Sequence, residues 1–294
     1  MESKKDGHGL TDRRAFLTRA ATFTAGVIAA DTLVDVLSPE LAAAQQVTKN
    51  DKRLLAEYVD YSSPQGSGKM RGYLAFPWRQ TNQATRAPAG LTGRRRPGVL
   101  VVHEDLGLTP HIEDIVRRLA VDNFVAFAPD ALTPLGGYPG DEDKARELFA
   151  KLDPAKRQED FVAAASYLKN RRECTGTIGV IGFGDGGGIA NMLATRLPDL
   201  TAAASFYGSP PKAEDVARIK AAVMIHYADN DERINAAWPA FEAALKANKV
   251  PHVMYKYSGT QHGFNNDTTP RYNEAAAKLA WQRTVTFFLR SLRR

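Results

Sequence analysis

Thr177-Ile-Gly-Val-Ile-Gly-Phe-Gly-Asp-Gly-Gly187 is an apolar run that ends in a cluster of glycines. Its first part, 177–183, is short and continuously apolar, the pattern of a strand buried on both faces of a parallel sheet. The glycines mark a sharp turn, and a helix is predicted from about 187 to 196. A strand feeding a helix through a tight turn is half of a βαβ unit. Gly182 and Gly186 stand two before and two after Gly184. Where a strand turns abruptly into a helix, the backbone passes too close to itself for a Cβ at those two positions.

The same alternation extends in both directions. Upstream, 99–103 reads as a buried strand and 112–119 as a helix, with Ile112, Ile115, Val116 and Leu119 on one face. A strand over 124–127, a Gly/Pro loop over 134–140 and helices near 142–151 and 155–169 follow. Downstream, strands are predicted over 202–207, 221–226 and 252–257, with helices over 236–247 and 270–292. Before all of these, 55–61 and 69–76 read as two strands joined by the turn Pro64-Gln-Gly-Ser-Gly68. The polar stretch 77–97, with its run Arg94-Arg-Arg96, reads as a solvated loop. Strands separated by helices imply crossover connections. The expected fold class is therefore α/β, a mostly parallel doubly wound sheet with helices on both faces and an antiparallel N-terminal hairpin, in a single domain spanning 45–294.

Composition narrows the function. Of 294 residues, 44% are hydrophobic and 24% charged, which is ordinary for a globular chain. A single cysteine excludes an internal disulfide and a cysteine-based zinc site. A net charge of +6 is too modest to point to a nucleic-acid partner. No apolar window is long enough for a permanent membrane anchor. The first 44 residues read as an address. Arg13-Arg14 precedes a mild apolar run from Ala20 to Ala30, and Ala42-Ala-Ala44 supplies a small-residue cleavage site before Gln45. This resembles a bacterial twin-arginine export signal and implies a periplasmic or secreted protein.

In open α/β sheets, ligands bind beyond the carboxyl ends of the strands. Those ends carry His103-Glu-Asp105, the glycine turn around Gly184, Asp229-Asn-Asp231 and Gln261-His-Gly-Phe264. Turn, acid, histidine is the chain order of an α/β-hydrolase triad. Taken with Val101-Val-His-Glu-Asp-Leu-Gly-Leu108, Ala128-Pro-Asp130, Phe206-Tyr-Gly208 and Asp267-Thr-Thr-Pro-Arg-Tyr272, the chain resembles the dienelactone hydrolases over roughly 50–292.

That resemblance implies an α/β-hydrolase fold with no cofactor and no metal, acting on a small ester or lactone. It implies Asp231 as the triad acid, His262 as the base and Glu104 as the carboxylate beside the nucleophile. The backbone N–H groups of Asp105 and Asp185 would form the oxyanion hole. The family carries a cysteine or serine at the middle of the elbow, and this chain has Gly184, which has no side chain to attack a carbonyl. Cys174, ten positions upstream, is expected before the strand and near the opposite end of the sheet. The family's two carboxylate-binding arginines align with Pro134 and Asn266, which argues against an anionic lactone.

Other readings of the turn stay open. Asp185 could be the nucleophile, at the cost of placing Phe183 where a small residue is needed. Gly182-x-Gly184-x-x-Gly187 matches a dinucleotide fingerprint, but the next strand does not end in the acid that would hold a ribose. The function expected is a dienelactone-hydrolase-type hydrolase, weakened by Gly184. The alternative is an inactive relative that binds a small molecule.

Overall fold

The computed structural model describes residues 45–79, 90–91 and 95–293. The export signal expected over 1–44 and most of the loop expected over 77–97 lie outside the described residues. Strands β1 (Leu54–Ser63) and β2 (Gly68–Arg79) pair antiparallel, with Tyr61 opposite Met70. The two-residue β3 (Gly90–Leu91) pairs with β2. Then come β4 (Arg96–Val102), α1 (Pro110–Val121), β5 (Val125–Pro129), α2 (Glu142–Phe149) and α3 (Pro154–Lys169). The second half holds β6 (Cys174–Phe183), α4 (Asp185–Arg196), β7 (Ala202–Phe206) and β8 (Ala222–Asn230). It ends with α5 (Glu232–Asn235), α6 (Trp238–Ala247), β9 (His252–Gln261) and α7 (Glu274–Leu292).

The sheet order is β1-β2-β5-β4-β6-β7-β8-β9. From β5 to β9 every neighbouring pair is parallel, and β2 joins β5 antiparallel. The fold is the expected doubly wound α/β sheet with its antiparallel start. β5 and β7 are buried at every position, which is why they read as continuous apolar runs. One face of the sheet packs on α3, α4 and α6 through Phe161, Leu168, Leu193, Phe241 and Leu245. The other packs on α1 and α7 through Ile112, Ile115, Leu119, Ala280 and Phe288. Among the described residues, no helix is long and apolar enough to cross a membrane.

Three expectations need correction. Cys174 opens β6 rather than preceding it, although it does lie at the edge opposite the glycine turn, paired with Arg96 at the start of β4. It is buried, and burial pushes its thiol above the usual value. The helix expected over 236–247 is α6, and before it stands a short turn, α5, that was not expected and begins directly after Asp231. The last helix starts at Glu274, not 270. The Asn273 side chain accepts from the Ala276 N–H and so caps it there, removing one unpaired donor from the first turn.

The stretch just after residue 44 is part of the fold. Arg117 on α1 is fully buried. Its guanidinium donates to the Val47 carbonyl (2.6 Å), the Gln45 Oε1 (3.2 Å) and the Tyr73 hydroxyl (3.2 Å). Asp114, one helical turn earlier, accepts from the N–H groups of Gln46 (3.1 Å) and Val47 (2.9 Å). An irregular segment outside the sheet thereby satisfies backbone groups at 46 and 47 through one helix.

Candidate active site

The glycine turn is forced by the backbone. A Cβ on Gly182 would sit 1.9 Å from the Gly186 carbonyl oxygen. One on Gly186 would sit 2.4 Å from the carbonyl oxygens of His103 and Val102, and one on Gly187 2.7 Å from that of Phe206. These glycines exist because three backbone segments meet there. Gly184 differs. Its φ of 55° and ψ of −117° form the sharp corner between β6 and α4, and its N–H donates to the Phe206 carbonyl at 3.0 Å. A Cβ there would meet no atom closer than 3.5 Å, the nearest being His262 Nε2 at 3.5 Å, Glu104 Cγ at 3.6 Å and Glu104 Oε1 at 3.8 Å.

Each neighbour arrives from a different strand end. His262 follows β9, and its Nδ1 donates to Asp231 Oδ2 at 2.6 Å. Asp231 follows β8 and is only 8% exposed. With the proton on Nδ1 held by a carboxylate, the Nε2 lone pair faces Gly184. The His262 ring also rests on Tyr207, at 4.8 Å between centroids. Tyr207 is fully buried at a φ of 40° just after β7. Burial, with the Glu104 carboxylate nearby, pushes its phenol well above the usual value, so it stays protonated.

Glu104 follows β4 and accepts from Asn266 Nδ2 at 3.3 Å. Its backbone is fixed from behind by His103. The Ala131 N–H donates to His103 Nε2 at 3.1 Å, so Nδ1 carries the proton and donates to the Glu104 carbonyl at 2.6 Å. Burial pulls His103 below its ordinary value and keeps it neutral in that role. Asp130, after β5, gathers the same loops. Its carboxylate accepts from the N–H groups of Leu108 (3.3 Å), Leu132 (3.0 Å) and Tyr138 (3.1 Å). The Asp105 and Asp185 N–H groups meet no acceptor among the described residues.

Gly184, Glu104 and His262, with Asp105 and Asp185, thus line a cleft of about 940 Å3, and the buried Asp231 holds His262 from outside that lining. That size suits a small organic ligand. The Asp185 side chain pairs with Arg157 (2.9 Å), whose guanidinium lies over the Phe149 ring at 4.5 Å. Tyr138 packs against the cluster of Leu106, Leu132 and Ala145 and does not itself line the cleft. Asn266 lines the cleft, and Pro134 does not.

Sequence reasoning missed Arg271. It lines the cleft, packs against Gly263, and makes no ion pair among the described residues. Lys212 and Arg233 also line the cleft without an ion pair among the described residues. The signal was present in Pro270-Arg271-Tyr272, but nothing in the spacing shows that this stretch folds back over the turn after β9.

The segment after His262 is held by a buried charge network. Asp267 accepts from His111 Nδ1 (2.7 Å) and Arg118 (2.5 Å), and Arg118 also holds Asp114. Burial alone would raise the Asp267 pKa, but the bonds from His111 and Arg118 pull it down to about 2. A lowered carboxylate contributes stability above its unfolded value, and that contribution is lost as pH falls through the folded value. The Asp267→Asn variant is expected to be less stable than the parent at pH 7. On the order of 2 kcal/mol of that difference should vanish between pH 5 and about pH 2. Urea unfolding across that range checks this, and a difference independent of pH contradicts it.

Comparison with known proteins agrees with this fold. Residues 86–292 match the model of the dienelactone hydrolase family. Protein usf of Aquifex pyrophilus is 33% identical over 236 residues, covering 75% of this chain and 93% of that protein. A Salmonella typhi protein assigned as a carboxymethylenebutenolidase is 32% identical over 207 residues, covering 65% and 76%. A solved structure from Klebsiella pneumoniae, assigned as a dienelactone hydrolase, is 27% identical with a TM-score of 0.67, covering 80% of this chain and 99% of that one. The strand-end constellation and the match over most of the fold lead to one assignment: the chain belongs to the dienelactone hydrolase family, a family of hydrolases.

Proposed function

We propose that the protein hydrolyses a small ester or lactone, slowly, with water attacking where related enzymes present a side chain. The observation that carries this reading is the Asp231–His262 pair aimed at Gly184, with Glu104 beside the same space. His262 Nε2 takes a proton from the attacking water, and Asp231 stabilises the imidazolium that forms. Charge developing on the carbonyl oxygen is met by the Asp105 and Asp185 N–H groups. His262 then returns the proton to the leaving oxygen. Triads stripped of their nucleophile keep roughly 10³–10⁴-fold over the uncatalysed rate, and that is the activity expected here.

Arg271, Lys212 and Arg233 in the cleft favour a substrate that carries an anionic or electron-rich group. They offset the argument from Pro134 and Asn266. The proposal includes twin-arginine export, supported by Arg13-Arg14 and Ala42-Ala-Ala44, and so places the reaction outside the cytoplasm. Short p-nitrophenyl esters test the chemistry. The His262→Ala variant is expected to lower the rate about 100-fold, the low end of what a positioned general base contributes. A rate that this change leaves untouched removes the reading. The absence of glycine's side chain favours one second reading, a small-molecule binding protein. Saturable thermal stabilisation by a lactone that is never turned over would establish it.

A further inference from the structure

The basic run that leads into β4 takes no part in the reaction centre, and the topology gives it company. The parallel strands start at the edge of the sheet opposite the glycine corner. There Arg95 and Arg96 open β4, Lys220 leads into β8, Lys249 leads into β9, and Arg290 and Arg293 end α7. Five of the six are exposed, and Arg96 is half-buried. Carboxylates in the connections along this edge are engaged elsewhere. Glu173 holds Arg171 (2.9 Å) and Arg172 (2.8 Å), Asp199 holds Lys169, Asp122 accepts from Trp281, and none of the six cations makes an ion pair among the described residues. The helix dipole accounts for Arg290 and Arg293, but Arg95 and Arg96 follow no helix. The cleft edge mixes both signs, with Glu104, Asp105 and Asp185 beside Lys212, Arg233 and Arg271.

We propose that this single-sign edge docks reversibly on an anionic phospholipid bilayer. The inference does not depend on the hydrolase reading. Two features select the partner. Arg95, Arg96 and Arg293 converge on a hollow of about 530 Å3, lined also by Asn123, Thr175 and Thr177, whose donors suit a phosphate. The cations then continue across the sheet from β4 to β9, four strand spacings or about 19 Å. That is too wide for one small anion and matches a surface that repeats phosphates. Clusters of about four to eight Lys and Arg are the size that anionic lipid attracts. A nucleic-acid duplex would need an element that enters a groove, and this edge offers short connections and helix ends. A basic patch alone gives reversible attachment, and it leaves the glycine corner at the other edge facing solution.

The test sediments the full chain with vesicles of phosphatidylcholine, alone or mixed with phosphatidylglycerol. At roughly 0.1 M salt, partition onto the anionic vesicles is expected to exceed that onto the neutral ones at least ~100-fold, which three cations supply at about 5-fold each. At roughly 1 M salt the screening length falls from about 10 Å to about 3 Å, and the difference should vanish. Arg95→Ala combined with Arg293→Ala should weaken partition about 25-fold, and Arg95→Lys combined with Arg293→Lys should preserve it. Lys69→Ala combined with Lys144→Ala removes the same charge from the exposed cleft edge and should change partition less than about 2-fold, because those positions lie beyond the screening length. Residues 1–44 are common to every variant, so the comparison reads the edge alone. Partition that is equal on neutral vesicles, indifferent to salt, or lowered equally by the two alanine pairs overturns the proposal. Tighter binding to duplex DNA than to anionic vesicles at the same salt gives the edge to another partner and overturns it. Saturable binding of inorganic phosphate without vesicle partition makes the hollow a free-anion site and overturns it as well.

Discussion

The Gly184→Cys variant is expected to hydrolyse p-nitrophenyl esters at least ~100-fold faster than the unmodified chain, a fraction of what removing a nucleophile costs in enzymes that have one. The new Cβ would lie 3.5 Å from His262 Nε2 and 3.6 Å from Glu104 Cγ, in contact with both and clashing with neither. The cost falls on the backbone. At φ 55° and ψ −117° a Cβ is strained by about 1–3 kcal/mol, which glycine escapes. The variant should therefore be less stable and more active at once. Its thiol should react with iodoacetamide near neutral pH, because a histidine facing a thiol favours the thiolate. Cys174 is the internal control, since burial disfavours its thiolate. Adding His262→Ala to the variant should remove most of the gain. A folded variant with an inert new cysteine and an unchanged rate would mean that the corner is no longer aligned for catalysis.

The largest expected loss of stability is at Arg117. Replacing it with alanine should lower the unfolding free energy by about 3–5 kcal/mol, the range for breaking a buried ion pair from one side. The guanidinium lies 3.5 Å from Asp114 and 3.7 Å from Glu113, besides its bonds to Val47, Gln45 and Tyr73. Its removal leaves the Val47 carbonyl without that donor and puts more of the charge on Arg118 and Lys49, which remain beside the two carboxylates. Urea unfolding of parent and variant measures the difference. A loss below about 1 kcal/mol would show that those two cations suffice, which is the range of exposed pairs.

Sheet and site were legible where one physical rule dominates. Strands buried on both faces must be apolar at every position, so β4, β5, β6 and β7 stood out without alternation. The hairpin was visible because Pro64 to Gly68 holds turn residues between two strand-like runs. Glu104, Gly184, Asp231 and His262 could be read because the sheet class itself says which strand ends face the ligand. What stayed hidden depends on how distant segments fold over one another. Arg117 reads in the sequence as an ordinary helical arginine, and only its burial beneath residues 45–47 gives it weight. Arg271 belongs to a turn-rich stretch without periodicity, so no sequence pattern brings it back to the cleft. The turn α5 is four residues long, too short for helical periodicity to reveal.

The strand order also sets when the site comes into being. Asn266 reaches Glu104 across a sequence separation of 162 residues, and His262 reaches Asp231 across 31. Such pairings carry their full loop-closure cost before any contact rewards them, so chains dominated by them fold slowly. During synthesis β4 and the glycine corner emerge well before the turn after β9 that carries His262. Until β9 docks on β8, the chain holds an acid, a corner and a half-built cleft, but no base. On the proposed mechanism, a chain in which β9 has not yet docked has no base at the glycine corner and is expected to be inactive.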